Sequence, residues 1–136
     1  MNKNFKQIVR CLVNAQVASD GGKGIYDIAV SPFEKDIARG GYIYKDDFIS
    51  RAISLINSTR NCGIYYYVAP CPELSDWNDC FIVYFNIRVN GKRYQCSFHS
   101  FNSRLENLVG GPTTTRWSRK DSSRNVLKEL RDLIEM

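Results

Sequence analysis

The stretch "FNIRVNGKRYQCSFHS", Phe85 to Ser100, places Asn90-Gly91 between two runs that alternate apolar and polar residues. A two-residue type I′ turn needs positive φ at both central positions, and Asn-Gly is the pair that meets this need most readily. The dipeptide therefore predicts a β-hairpin in one register, with Val89 opposite Lys92, Ile87 opposite Tyr94, Phe85 opposite Cys96 and Val83 opposite Phe98. The side-chain period of two gives this set to a core face. The intervening pairs are Arg88 with Arg93, Asn86 with Gln95, Tyr84 with Ser97 and Ile82 with His99, and they share the second face.

Toward the N-terminus, Phe5, Ile8, Val9, Leu12, Val13 and Val17 recur on one helical face and predict an amphipathic helix over residues 4 to 18, ended by "SDGGKG". Ile25 to Val30 is an apolar run suited to a strand, and Ser31-Pro32 stops it because proline cannot donate to a ladder. "ARGGYIY" reads as a glycine hinge leading into a short extended piece. Asp46 or Asp47 is then suited to cap a second helix through about Ser58, with Phe48, Ala52, Leu55 and Ile56 facing inward. "NCGIYYYVAP" predicts a tyrosine-rich strand ending at Pro70, followed by the ten-residue connector "CPELSDWNDC", with three acids and no base.

Beyond the hairpin, a last helix over about 122 to 135 is expected to bury Val126, Leu127, Leu130, Leu133 and Ile134, after Asp121 and two serines that suit a helix start. The fold class expected is α+β: a single domain over 1–136, with a small antiparallel sheet whose central hairpin (80–101) packs against about three helices. No internal repeat and no low-complexity tail interrupts the chain.

With 136 residues, 43% hydrophobic and 24% charged, the chain is long enough for one real core. No run approaches the roughly 18 apolar residues of a membrane span. "MNKNFKQIVRCLVNAQVASD" alternates polar and apolar residues where a signal peptide would have an unbroken apolar core. The expected location is the cytoplasm, with no membrane partner. Cys11, Cys62, Cys71, Cys80 and Cys96 form an odd set without the close spacing of a secreted scaffold, and read as reduced thiols. A net charge of +5 favours an anionic partner, although a balance this modest is also common among ordinary soluble proteins.

Two regions are candidates for binding. Tyr84, Asn86, Arg88, Arg93, Gln95 and His99 line the second face of the hairpin with groups that recognise bases, sugars or phosphates. An antiparallel sheet commonly leaves one face to water, so a merely solvated face explains the same residues. Two arginines directly opposite each other are mildly destabilising, which favours an anion at the hairpin tip. The second region is "GGPTTTRWSRKDSSR", residues 110 to 124. Arg116, Arg119, Lys120 and Arg124, with Trp117 among them, stand before or within the first turn of the last helix, where unsatisfied N–H groups attract anions. A flexible basic loop with Trp117 tucked onto the core is the plainer alternative. The pattern lacks G-x-x-x-x-G-K-[ST], so no triphosphate loop is implied.

Metal and catalytic centres are not expected. Cys71, Cys80, Cys96 and His99 lack C-x₂-C spacing, and Cys96 and His99 fall on opposite faces of one strand. The same geometry argues against a Cys–His nucleophilic pair. Asp46 and Asp47 read as helix-start residues, and Glu73, Asp76 and Asp79 as a solvated loop, so no pair of working carboxylates stands out. No cofactor and no enzymatic activity are expected.

"YQCSFHSFNSRL", followed by a glycine-containing basic loop, a tryptophan and "SSRNVLKEL", resembles the C-terminal half of small accessory proteins carried by phages and prophages, over residues 80 to 134. This resemblance implies a mobile-element role of the counter-defence kind, as in anti-CRISPR inhibitors and in the Thoeris anti-defence type of protein that sequesters cyclic-nucleotide immune signals. No site residue is carried over from it. The expectation is a non-enzymatic protein that sequesters an anionic nucleotide-like ligand. The alternative is an inhibitor that covers a host defence protein with its acidic connector and exposed aromatics. A homo-oligomer is compatible with either.

Overall fold

The computed structural model describes residues 3–19, 42–71, 80–111 and 123–135, with side chains given from Lys45 in the second helix and from Asn125 in the last. The fold is α+β: three α-helices, a three-stranded antiparallel sheet and one 3-10 helix make up the described regular structure. The chain divides into two compact units, Met1–Cys62 with Asp121–Met136, and Gly63–Lys120.

The first unit holds the α-helices. Helix α1, Lys3–Ser19, buries the six predicted apolar residues and also Cys11, Ala15, Gln16 and Ala18, so more than one of its faces is covered. Helix α2, Tyr42–Ser58, packs along α1 and buries Phe48, Ile49, Ala52, Ile53 and Ile56, while Leu55 is half-buried. Asn4 Nδ2 donates to Thr59 Oγ1 at 3.2 Å, which ties the start of α1 to the end of α2. Helix α3, Ser123–Ile134, also packs on α1 and buries Val126, Leu127, Leu130 and Ile134. Leu133, expected inside, is only half-buried because it sits at the margin of that stripe.

Two sequence expectations for α2 are corrected. The helix starts at Tyr42, so the segment read as extended after the glycines is helical from there, and Asp46 and Asp47 lie inside the helix instead of capping it. Tyr and Ile have strand propensity, but propensity is weak beside packing. The buried row from Lys45 through Phe48, Ile49, Ala52, Ile53 and Ile56 has helical spacing.

In the second unit, β1 (Ile64–Pro70), β2 (Phe81–Val89) and β3 (Lys92–Ser100) form a sheet in the order β1-β2-β3. Every pair in the predicted hairpin register is present. Asn90 has φ 52° and Gly91 φ 76°, as the type I′ turn demands. Strand β1 adds to the other side of β2, with Tyr66 opposite Phe85, Val68 opposite Val83 and Ile64 opposite Ile87. One face is therefore a continuous buried set that includes Ile64, Tyr66, Val68, Val83, Phe85, Ile87, Tyr94, Cys96 and Phe98.

After β3 the chain enters the 3-10 helix Ser103–Leu108, capped by Asn102, whose Oδ1 accepts from the Arg104 N–H at 3.0 Å. Leu105 anchors this turn in the core. Val109 then forms a parallel bridge with Val68, and the Gly110 N–H donates to the Val68 carbonyl at 2.7 Å. This contact covers part of the edge that β1 would otherwise offer to another strand. Gly111 follows with φ 53°, and a Cβ there would stand 2.8 Å from the Tyr66 carbonyl oxygen. Gly111→Ala is expected to cost about 1 to 3 kcal/mol, the range for a non-glycine residue held in a sparsely populated conformation. Thermal unfolding measures it, and a loss below about 0.5 kcal/mol would mean that the close approach to Tyr66 is not maintained.

Candidate functional site

The second sheet face is built by register alone. Across β1, β2 and β3 its rows run Tyr65–Asn86–Gln95, Tyr67–Tyr84–Ser97 and Ala69–Ile82–His99, and the hairpin tip adds Arg88 with Arg93. The Arg88 N–H donates to the Gly63 carbonyl at 2.8 Å, toward the β1 side. Residues of a central strand alternate the direction of their backbone groups, so Arg88 and Arg93 form a pair that exchanges no backbone hydrogen bond. In such pairs the Cα atoms lie about 4.5 Å apart and the side chains are at their closest. Both arginines are exposed, and Lys92 beside them is exposed too. The tip thus concentrates three cations where sheet geometry brings two of them together.

Next to the tip, Tyr65 is 41% exposed and stands opposite Asn86. Tyr67 and Tyr84 are half-buried, with ring centroids 6.4 Å apart and planes tilted by 45°. Asn86, by contrast, has 0% exposure and accepts from Gln95 Nε2 at 2.9 Å. It was expected to contact a ligand, and here it is buried on the central strand with its amide oxygen turned to Gln95. Its role is to orient the half-buried Gln95 amide, whose carbonyl is directed by the bond that its Nε2 makes.

His99 is exposed on the same face as Arg93 but six residues further along β3. At about 3.4 Å per residue this is roughly 20 Å, so His99 does not converge with the arginines. The described cluster is therefore Arg88, Arg93, Gln95 and Tyr65, extended by Tyr67 and Tyr84. Tyr65 and Tyr67 were missed from the sequence. The alternation in "IYYYVAP" separates Tyr66 from its neighbours, and only the pairing with β2 shows which set faces outward.

Arg116, Trp117 and Arg119 lie outside the described residues, and Arg124 lies in the first turn of α3 without a described side chain. Residues 25–30, read as a strand, and residues 72–79 of the acidic connector also lie outside them.

The cysteines are free and buried. Cys96 sits on the core face, where burial pushes its thiol well above the usual range. His99 is exposed on the opposite face, so this pair is in no position to exchange a proton. Among the described residues, no group of three His, Cys, Asp or Glu side chains comes together, and no helix is long and apolar enough to cross a membrane. What the face offers chemically is two guanidiniums, an oriented amide and a partly exposed phenol ring in adjoining rows. Compared with protein families, with curated proteins and with solved structures, the chain matches none of them.

Proposed function

We propose that the chain is a non-enzymatic binding protein that sequesters a nucleotide-like anion on the outer face of its sheet. The observation that carries this reading is the Arg88–Arg93 pair beside exposed Tyr65, in adjoining rows of one face. Two arginines opposite each other on one face can each make a charge-assisted contact to the same phosphate. Tyr65 offers a stacking surface for a base, because every base has a π-face. Gln95, held by Asn86, offers a donor and an acceptor to a base edge. The +5 net charge raises the local concentration of such an anion. In the counter-defence setting that the resemblance over residues 80 to 134 implies, the ligand is a cyclic-nucleotide immune signal, and binding without turnover is the whole of the activity.

Titration calorimetry with a cyclic dinucleotide tests this, with native mass spectrometry of the mixture to show that the nucleotide leaves unchanged. Arg88→Gln and Arg93→Gln are each expected to weaken binding by about 1.5 to 3 kcal/mol, the worth of a hydrogen bond to a charged group. Tyr65→Ala is expected to weaken it by about 1 to 3 kcal/mol through lost stacking. Raising the salt concentration should lower the affinity, since the arginines are exposed. Binding that is unchanged in the Arg88→Gln/Arg93→Gln double variant would remove the sheet face from the reading.

A further inference from the structure

The first unit contains a cavity that the sheet face does not use. It lies between α1 and α2 and has a volume of about 350 Å³, within the range of small-molecule sites. From α1 it is lined by Gln7, Arg10, Cys11 and Asn14, one stripe at helical spacing. From α2 it is lined by Phe48, Arg51 and Leu55, a second such stripe.

The floor is apolar, since Phe48 and Cys11 are both buried. The Arg51 guanidinium carbon stands 5.9 Å from the centroid of the Phe48 ring, within cation–π reach. Among the described residues, Arg10 and Arg51 are the charged lining residues and none of the lining side chains is acidic. Burial raises the Cys11 thiol while Arg51 acts in the opposite direction, with burial the larger cause, so the floor stays uncharged near neutral pH. Gln7 and Asn14 add amide groups. Two guanidiniums around an apolar base with neutral amides are complementary to a compact anion that has a flat hydrophobic part.

We propose that this cavity binds a small organic anion, a carboxylate or phosphate monoester, with Arg10 and Arg51 holding the charged group and Phe48 and Leu55 covering the apolar part. The planar forks of the two arginines suit either anion, because each presents oxygens for paired N–H donors. The site shares no residue with the sheet face and does not depend on the nucleotide reading.

Four probes test it on the full chain by amide NMR titration: phenyl phosphate, benzoate, inorganic phosphate and benzyl alcohol. The expected result is saturable shifts in α1 and α2, around Cys11 and Arg51, with phenyl phosphate or benzoate at least about tenfold tighter than benzyl alcohol and than inorganic phosphate. The better of the two aromatic anions identifies which charged group the site takes. Arg51→Gln and Arg10→Gln should each weaken that binding by about tenfold or more, and both residues are exposed, so an unchanged melting temperature checks that the fold is kept. Arg93→Gln should leave it unchanged, which separates this site from the sheet face. No saturable shift with either aromatic anion, or shifts that persist in both α1–α2 variants, would overturn the proposal. So would shifts confined to β2 and β3 that disappear with Arg93→Gln.

Discussion

Phe85→Ala is expected to destabilise the protein by about 3 to 5 kcal/mol, the cost of removing a large aromatic side chain from a packed interior. Phe85 is fully buried on the central strand, between Tyr66 on one neighbour and Cys96 on the other. Its ring meets Phe98 edge-on at 6.0 Å, with an interplanar angle of 72°. Truncation removes that aromatic contact and leaves a void bounded by strands whose register is pinned by the turn, so little collapse can refill it. Urea unfolding measures the loss as a lower midpoint at constant slope. A cost below about 1 kcal/mol would contradict the assignment of this face as the core, and with it the exposure of the arginine face.

Leu130→Ala is expected to cost about 2 to 5 kcal/mol for the same reason, in the other unit. Leu130 has no exposed surface and stands in the stripe Val126, Leu127, Leu130 and Ile134 that α3 turns inward. A 12-residue helix is marginal by itself in water, so its stability comes mainly from this face. Leu133→Ala is the internal control: the side chain is half-buried, and its truncation should cost clearly less. Equal losses at 130 and 133 would mean that the helix packs with a different rotation.

The hairpin was legible because one dipeptide, Asn90-Gly91, determines both the turn and every pair that follows from it. Helices α1 and α3 were legible because their apolar residues recur at one period over several turns. The start of α2 was not, since Tyr42, Ile43 and Tyr44 prefer strands locally and the packing that overrides them is with α1, distant in sequence. Alternation placed Asn86 on the correct face but could not show its burial, which depends on the lengths of its neighbours on two other strands. The exposed Tyr65 escaped notice because β1 has a face only once its partner is known. Gln7, Arg10 and Asn14 read as the wet side of an amphipathic helix, and nothing local distinguishes a wet side from the wall of a cavity.

The bond from the Cys71 N–H to the Cys80 carbonyl, 3.0 Å long, closes the ladder between β1 and β2 at its far end from the turn. It fixes the mouth of the ten-residue connector independently of what the connector contains. Lengthening a closed loop costs only about 0.6 kcal/mol for each doubling, provided that its ends stay joined. An insertion between these two cysteines is therefore expected to have little effect on the sheet. In the laboratory, a peptide epitope grafted there is tethered at two points held one strand spacing apart, about 4.8 Å.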